Sequence, residues 1–417
     1  MITLEKEIEK VILVGVAGES EEETIASLEE LEELAKTAGA VTVGKMIQKR
    51  ETIHPGTYVG KGKLSEIKDA LWELDGTGII CDDELSPVQL RNLRDELDTK
   101  VMDRTLVILD IFAARASTNE GKIQVELAQL KYRQSRLTGM GISLSRLGGG
   151  IGTRGPGEKK LEQDRRVIKN RIAQLNRELK EVKRHREITR EARKRNKLPV
   201  VAIVGYTNAG KSTLLNGLTG SDILAEDKLF ATLDATTRSV KLETGGEVLL
   251  TDTVGFIRKL PHHLIEAFRS TLEEAKYADV LLHVVDASNP EVERQMYTVY
   301  QTLEELDIKD KPIVTAFNKQ DLLEGLSTLR DFKADYRVSI SAKEKRGFEE
   351  LLGAIGTVLR EKKVYIEGRY DYKEGDKIQL IRKHGELLEE EFREDGIWVK
   401  AYVTPEILEK TRPKEGK

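Results

Sequence analysis

Apolar positions recur along this chain with two periods, and the change from one to the other marks its parts. Short apolar runs that end at glycine or charge read as buried strands: Val11-Ile-Leu-Val14, Val41-Thr-Val43, Gly78-Ile-Ile-Cys81 and Val101-Met102. Between them, helical spacing predicts helices over 20–36 (Ile25, Leu28, Leu31 and Leu34 inward), about 64–74 and 87–97. Strands alternating with helices predict a parallel α/β domain over 1–115. The spacing then becomes heptad-like. Ile123, Leu127, Leu130 and Leu137 lie on one seam over about 118–138. Leu161, Ile168, Ile172, Leu175, Leu179 and Val182 continue the pattern on a second helix from about Gly157. Two seams of about 20 residues, each about 30 Å long, predict an antiparallel coiled-coil hairpin over 116–197. From Val200 the chain returns to strand–helix alternation through 362. A small α+β tail follows over 363–417, with a strand at Val364-Tyr-Ile366, a helix over 377–391 and a strand over 396–403.

Composition narrows this multidomain α/β reading. No apolar run approaches the ~18–20 residues of a membrane span, and the N-terminus lacks a signal-type apolar segment, so a cytoplasmic protein is expected. The single cysteine, Cys81, excludes an internal disulfide and a Cys-rich zinc site. His262-His263 reads as a solvated helix start rather than a ligand pair. The net charge of −4 conceals an asymmetry: residues 131–197 carry 21 Lys+Arg against 7 Asp+Glu, while both flanks are acidic. One element is therefore built for a polyanion. Its cations cluster beyond Val182 (Lys183-Arg-His-Arg186, Arg190, Arg193-Lys-Arg195) with almost no aromatics, which favours phosphate and shape contacts with RNA over base stacking. The hairpin tip, 139–157, ends in the glycine-rich Gly148–Gly157 with Arg154 embedded. Such a loop cannot form a core, but it can press bare backbone and arginine against a crowded surface.

The chemistry lies in the third part. The apolar run over 200–204 breaks at Gly205-Tyr206-Thr207-Asn208-Ala209-Gly210-Lys211-Ser212-Thr213, the G-x-x-x-x-G-K-[ST] spacing of a phosphate loop between a strand and a helix. Glycines let backbone N–H groups curl round phosphate oxygens, Lys211 reaches the β/γ-phosphates, and the Ser212 hydroxyl suits Mg²⁺. Next comes a strand ending in Asp252-Thr253-Val254-Gly255, with Asp252 placed for Mg²⁺ and Gly255 for a γ-phosphate. Asn318-Lys319-Gln320-Asp321 follows, whose last carboxylate can accept two hydrogen bonds from guanine and none from adenine. Ser341-Ala342-Lys343 would back the base. Phe230-Ala231-Thr232-Leu233-Asp234 occupies the switch position, and Thr232 is the candidate to complete the Mg²⁺ shell. These elements predict a P-loop GTPase domain over 198–362, using GTP/GDP and Mg²⁺, with Lys211, Thr232 and Gly255 in the catalytic step. Phe256 stands where many GTPases carry a water-orienting glutamine, so slow turnover is expected; Asn208 suggests potassium stimulation.

Together with Tyr58-Val-Gly-Lys-Gly-Lys63, Gln124–Leu130, Gly148–Glu158 and Asp164-Arg-Arg166, the chain resembles the HflX family of ribosome-associated GTPases over nearly its whole length. The resemblance implies binding to the large ribosomal subunit, with the hairpin tip toward the peptidyl-transferase region, and nucleotide-dependent splitting of stalled ribosomes. It also implies ATP binding by the N-terminal domain, although no second phosphate loop is present; a monomer is expected. A GTPase acting on free RNA and a GTP-dependent scaffold without turnover are the alternatives.

Overall fold

The computed structural model describes residues 8–144, 156–196, 198–220, 229–230, 236–242, 246–260, 272, 274–323, 329–361 and 363–412. They form two compact units. The first holds the described residues up to 186 together with 229–230 and 257–260; the second holds the others.

The first unit begins with a parallel sheet of β1 (Lys10–Ala17), β2 (Val41–Lys49), β3 (Gly78–Cys81) and β4 (Lys100–Asp103), in the order β2-β1-β3-β4. β1 and β3 are buried almost throughout, as strands covered on both faces must be. The helices are α1 (Glu21–Thr37), α2 (Lys61–Glu73), α3 (Pro87–Leu97) and α4 (Arg104–Arg115). Ser20 caps α1 by accepting from Glu23 N–H, and a Ser86/Gln89 capping box with Pro87 starts α3, so the expected boundaries fall close to these ends. One inward residue of α1 is corrected. Ile25 is 44% exposed, and Thr24, Ser27, Leu28, Leu31, Leu34 and Ala35 form the buried stripe instead. α4 has no counterpart in the expected elements. It follows β4 with no intervening turn, Asp103 ending the strand and capping the helix by accepting from Leu106 N–H.

α5 (Asn119–Leu144) and α6 (Pro156–Asn196) form the predicted pair of long helices. Ile123, Leu127 and Leu175 are buried together, with Leu130, Ile172, Leu179 and Val182 against them. Arg171 donates two hydrogen bonds to Glu126 across the pair, at 2.7 and 2.9 Å. Arg165 reaches the Leu137 carbonyl at 2.7 Å. The tip over 145–155 and the side chains of Leu161, Lys183 and 185–196 lie outside the described residues.

The second unit carries a six-stranded sheet in the order β10-β9-β8-β5-β7-β6, from β5 (Val200–Gly205), β6 (Thr236–Lys241), β7 (Glu247–Asp252), β8 (Val280–Asp286), β9 (Ile313–Asn318) and β10 (Tyr336–Ser339). Only the β6–β7 pairing is antiparallel. α7 (Lys211–Thr219), α8 (Val292–Glu305) and α9 (Phe348–Glu361) complete it. Beyond it β11 (Val364–Tyr370), β12 (Glu386–Arg393) and β13 (Gly396–Val403) make an antiparallel sheet, packed with α10 (Gly375–His384) and α11 (Pro405–Thr411). Here the expected helix over 377–391 is wrong beyond His384. A Cβ at Gly385 would lie 2.8 Å from the Ile381 carbonyl and 2.9 Å from Val403, and the next residue pairs with Tyr402 of β13. Strand pairing overrides the helix propensity of the glutamate run.

Candidate functional site: a phosphate loop at the carboxyl ends of a parallel sheet

The site forms where β5, β7, β8 and β9 end. β5 runs straight into the loop, which turns at Gly205 (φ 155°) and Gly210 (φ 94°) before α7 begins at Lys211. Both glycines are required. A Cβ at Gly205 would sit 2.2 Å from the Val284 carbonyl oxygen, and one at Gly210 would sit 2.2 Å from Asn318 Nδ2. Between them Tyr206, Thr207 and Ala209 are buried, whereas Asn208 is exposed with a left-handed backbone (φ 60°).

Lys211 is buried and donates to the Tyr206 carbonyl at 2.7 Å. Burial pushes its ammonium down to about 8, against a smaller opposing pull from Asp252. A phosphate beside it would supply the missing negative charge. The Ser212 hydroxyl donates to Asp252 Oδ2 at 2.8 Å, so a hydroxyl and a carboxylate oxygen converge at the start of α7. An all-oxygen pair of this kind suits a hard divalent cation. Thr213 follows, half-buried, in the first turn of α7.

Thr253 donates to the Ile203 carbonyl at 2.7 Å and fixes the end of β7 against β5. Past buried Val254, Gly255 lies against the loop; a Cβ there would meet Lys211 Nζ at 2.9 Å and Thr207 Cα at 2.9 Å. Phe256 joins the loop by backbone bonds, donating to Gly205 O (3.1 Å) and accepting from Thr207 N (2.8 Å). Its side chain is 1% exposed.

At the end of β9, Asn318 is 2% exposed and staples two loops. Its Nδ2 donates to Ala209 O and its Oδ1 accepts from Ala342 N, both at 2.8 Å. Lys319, at φ 64°, pairs with Asp286 at 2.7 Å; Asp286 ends β8 and was not singled out in the sequence, since no spacing rule links it to the motif. Gln320 donates to Phe317 O at 3.2 Å. Asp321 accepts from Ser341 Oγ at 2.6 Å, which holds its carboxyl below the usual range, and Lys343 beside it is exposed. The expected phosphate, Asp-x-x-Gly, Asn-Lys-x-Asp and Ser-Ala-Lys segments are thus brought to one end of one sheet. Phe230 belongs to the first unit, its ring edge-on to Phe112 at 4.6 Å. Ala231, Thr232, Leu233, Asp234 and His262-His263 lie outside the described residues. Among the described residues no helix is long and apolar enough to cross a membrane, and no cluster of three His, Cys, Asp or Glu side chains could hold a metal.

A phosphate loop opening a helix, with these partners along one parallel sheet, defines a P-loop GTP-binding domain. Residues 200–319 match the family described as 50S ribosome-binding GTPase, 25–113 that described as GTP-binding GTPase N-terminal, and 115–193 that described as GTP-binding GTPase Middle Region. The GTPase HflX of Lacrimispora saccharolytica is 66% identical over 408 residues, 98% of this chain and 96% of that protein. The GTPase HflX of Caldanaerobacter subterraneus subsp. tengcongensis is 50% identical over 99% of this chain and 95% of its own, and that of Escherichia coli 43% identical over 83% and 82%. The chain belongs to the HflX family of GTPases.

Proposed function

We propose that this GTPase binds the large ribosomal subunit in the cytoplasm and splits stalled ribosomes in a nucleotide-dependent way, with slow intrinsic hydrolysis that ribosomes accelerate. The observation that carries the reading is the arm: α6 is 41 residues long, about 60 Å at 1.5 Å per residue, and its distal half is dense in Lys and Arg. The name of the family matched by residues 200–319, 50S ribosome-binding GTPase, supports the same partner.

In this reading the loop amides from Asn208 to Thr213 and the Lys211 ammonium hold the phosphates. Gly255 N–H meets the γ-phosphate, and Asp321, set by Ser341, reads guanine. Asn318 acts mainly by holding the loops together. Ser212, Asp252 and Thr232 would hold Mg²⁺, which would supply positive charge to neutralise the phosphates. Asn208 would contribute to a K⁺ site, giving faster turnover in potassium than in sodium. Phe256 can neither donate to nor accept from an attacking water, so ordering of the Thr232 segment by the ribosome supplies the acceleration. ATP at the N-terminal sheet has no part in this proposal, because the sequence there holds no second phosphate loop.

The test replaces Ser145–Thr153 by a short Gly-Ser linker. GTP binding and unstimulated hydrolysis should persist and subunit binding should weaken only mildly, while ribosome splitting followed by light scattering is lost. Splitting at the unmodified rate would reduce the tip to a linker and overturn the proposal.

A further inference from the structure

Behind the base-reading end of the site, the second unit buries a carboxylate that the phosphate and guanine contacts do not use. Asp331 is 2% exposed and lies against β8, β9 and α8. Its Oδ2 accepts from Thr315 Oγ1 of β9 at 2.7 Å and from Tyr300 Oη of α8. His283 Nδ1 of β8 lies 3.5 Å from the same oxygen, and Oδ1 accepts from Lys333 N–H at 3.0 Å. His283 and Thr315 are opposite each other in the β8–β9 register, and both are buried. Burial alone would raise the Asp331 carboxyl, but these donors hold it well below the ordinary carboxylate range, so it is charged. Apart from His283, its partners are hydroxyls and one backbone N–H. A buried charge is a costly way to fasten a loop that an aliphatic side chain could cover; what it supplies is fixed geometry.

This clamp lies where it can govern the guanine contact. Three residues further along the same two strands, Asp286 and Asn318 are again opposite each other, about 10 Å on at about 3.3 Å per residue. Asp286 holds Lys319, and Asn318 holds the phosphate loop and Ala342. Asp321 follows within a single 3-10 turn, Gln320–Leu322. Beyond it Leu323 and Leu329 both pack against a cluster that includes Val285, Met296 and Phe317, and Asp331 comes two residues after Leu329. Asp331 therefore ties the strands that lead into Asp321 to the segment that leads away from it. A carboxylate accepts two hydrogen bonds from the guanine edge over a narrow range of angles. A small tilt costs one of those bonds and leaves the phosphates, held by another loop, undisturbed.

We propose that Asp331 is a positioning residue for guanine recognition: by clamping the His283–Thr315 pair and the segment that returns from Asp321, it holds the Asp321 carboxylate at the angle that accepts both hydrogen bonds of the base. The inference rests on the nucleotide site proposed above and deepens it. No covalent step is involved, and Asp331 acts through Asp321 without touching the nucleotide.

The test compares the affinities of the full-length protein for GDP and for inosine diphosphate, which keeps the ring N–H and lacks the exocyclic amine. The unmodified protein should prefer GDP about tenfold, the worth of one hydrogen bond to a charged acceptor. Asp331→Asn puts a donor where Thr315 and Tyr300 need an acceptor, and should shrink that preference severalfold. It should also raise KM for GTP while leaving kcat at saturation unchanged. Thr315→Val, a milder change that keeps the carboxylate, should shrink the preference in the same direction, and Thr315→Ser, which retains the hydroxyl, should restore it. A purely structural role would lower stability, or weaken both nucleotides equally, with the preference intact. An unchanged preference in both Asp331→Asn and Thr315→Val would overturn the proposal. Asp321→Ala serves as the separate arm. A preference absent from the unmodified protein, or surviving Asp321→Ala, would sink the nucleotide-site reading; one lost in Asp321→Ala yet intact in the other two variants would sink only the positioning role of Asp331.

Discussion

Two parallel sheets in this molecule end in crevices of opposite character. At the carboxyl ends of β5, β7, β8 and β9 the chain presents glycines, backbone amides and the buried Lys211. At those of β1 and β3 it presents Asp82 and Asp83, filled by Arg104 and Lys259. The layer architecture is shared, so the architecture does not decide what binds. The loops that leave the strands do: the turn from Gly205 to Gly210 opens one crevice to phosphate, and Asp82 and Asp83 after β3 reserve the other for cations from the same chain.

The largest effects come from removing the charge that defines each crevice. Asp321→Ala removes two hydrogen bonds to a charged acceptor, at about 1.5–3 kcal/mol each, so GTP affinity measured by calorimetry should fall by at least a hundredfold. Arg104→Met leaves Asp82 and Glu30 with a buried partner missing, and chemical denaturation should report a loss of about 3–5 kcal/mol with GTP binding retained in the folded protein. If Arg104→Met were neutral, the N-terminal crevice would not be electrostatically built and the contrast would collapse.

A smaller effect sharpens the contrast through pH. Burial lowers Lys211 to about 8, so above that pH the free protein carries it mostly neutral, and bound phosphate favours its charged form. GTP binding should take up close to one proton at about pH 9 and almost none at about pH 6.5, with affinity falling as pH rises through the window. Calorimetry in two buffers of different ionisation enthalpy reads the uptake, and its absence at the higher pH would remove Lys211 from the phosphates. The mildest change, Ser20→Ala, deletes the α1 cap and should cost about 1 kcal/mol of stability, with nucleotide affinity unchanged.

The two crevices were unequally legible in the sequence. The phosphate loop, Asp-x-x-Gly and Asn-Lys-x-Asp segments announce themselves because phosphate and guanine demand fixed residue types at fixed spacing. Asp82 and Asp83 answer to Lys259, about 175 positions away, and no local pattern connects them. Asp286 was missed for the same reason, since its partner Lys319 is set by strand order. Most helices and strands followed from periodicity and caps. Two places failed for physical reasons: α4 starts directly at the end of β4, with Asp103 as both last strand residue and cap, and β12 is glutamate-rich yet recruited into a sheet by β13. Ile25 of α1 misled because a stripe of Thr24, Ser27 and Leu28 packs better under a helix whose serine faces Asp82.

On the function proposed above, nucleotide held at the carboxyl ends of β5, β7, β8 and β9 governs engagement of the large subunit. Co-sedimentation of the full-length protein with purified large ribosomal subunits tests it directly, in GDP, in a non-hydrolysable GTP analogue and without nucleotide. The account predicts strong co-sedimentation with the analogue and little in the other two. Equal co-sedimentation in all three would contradict it.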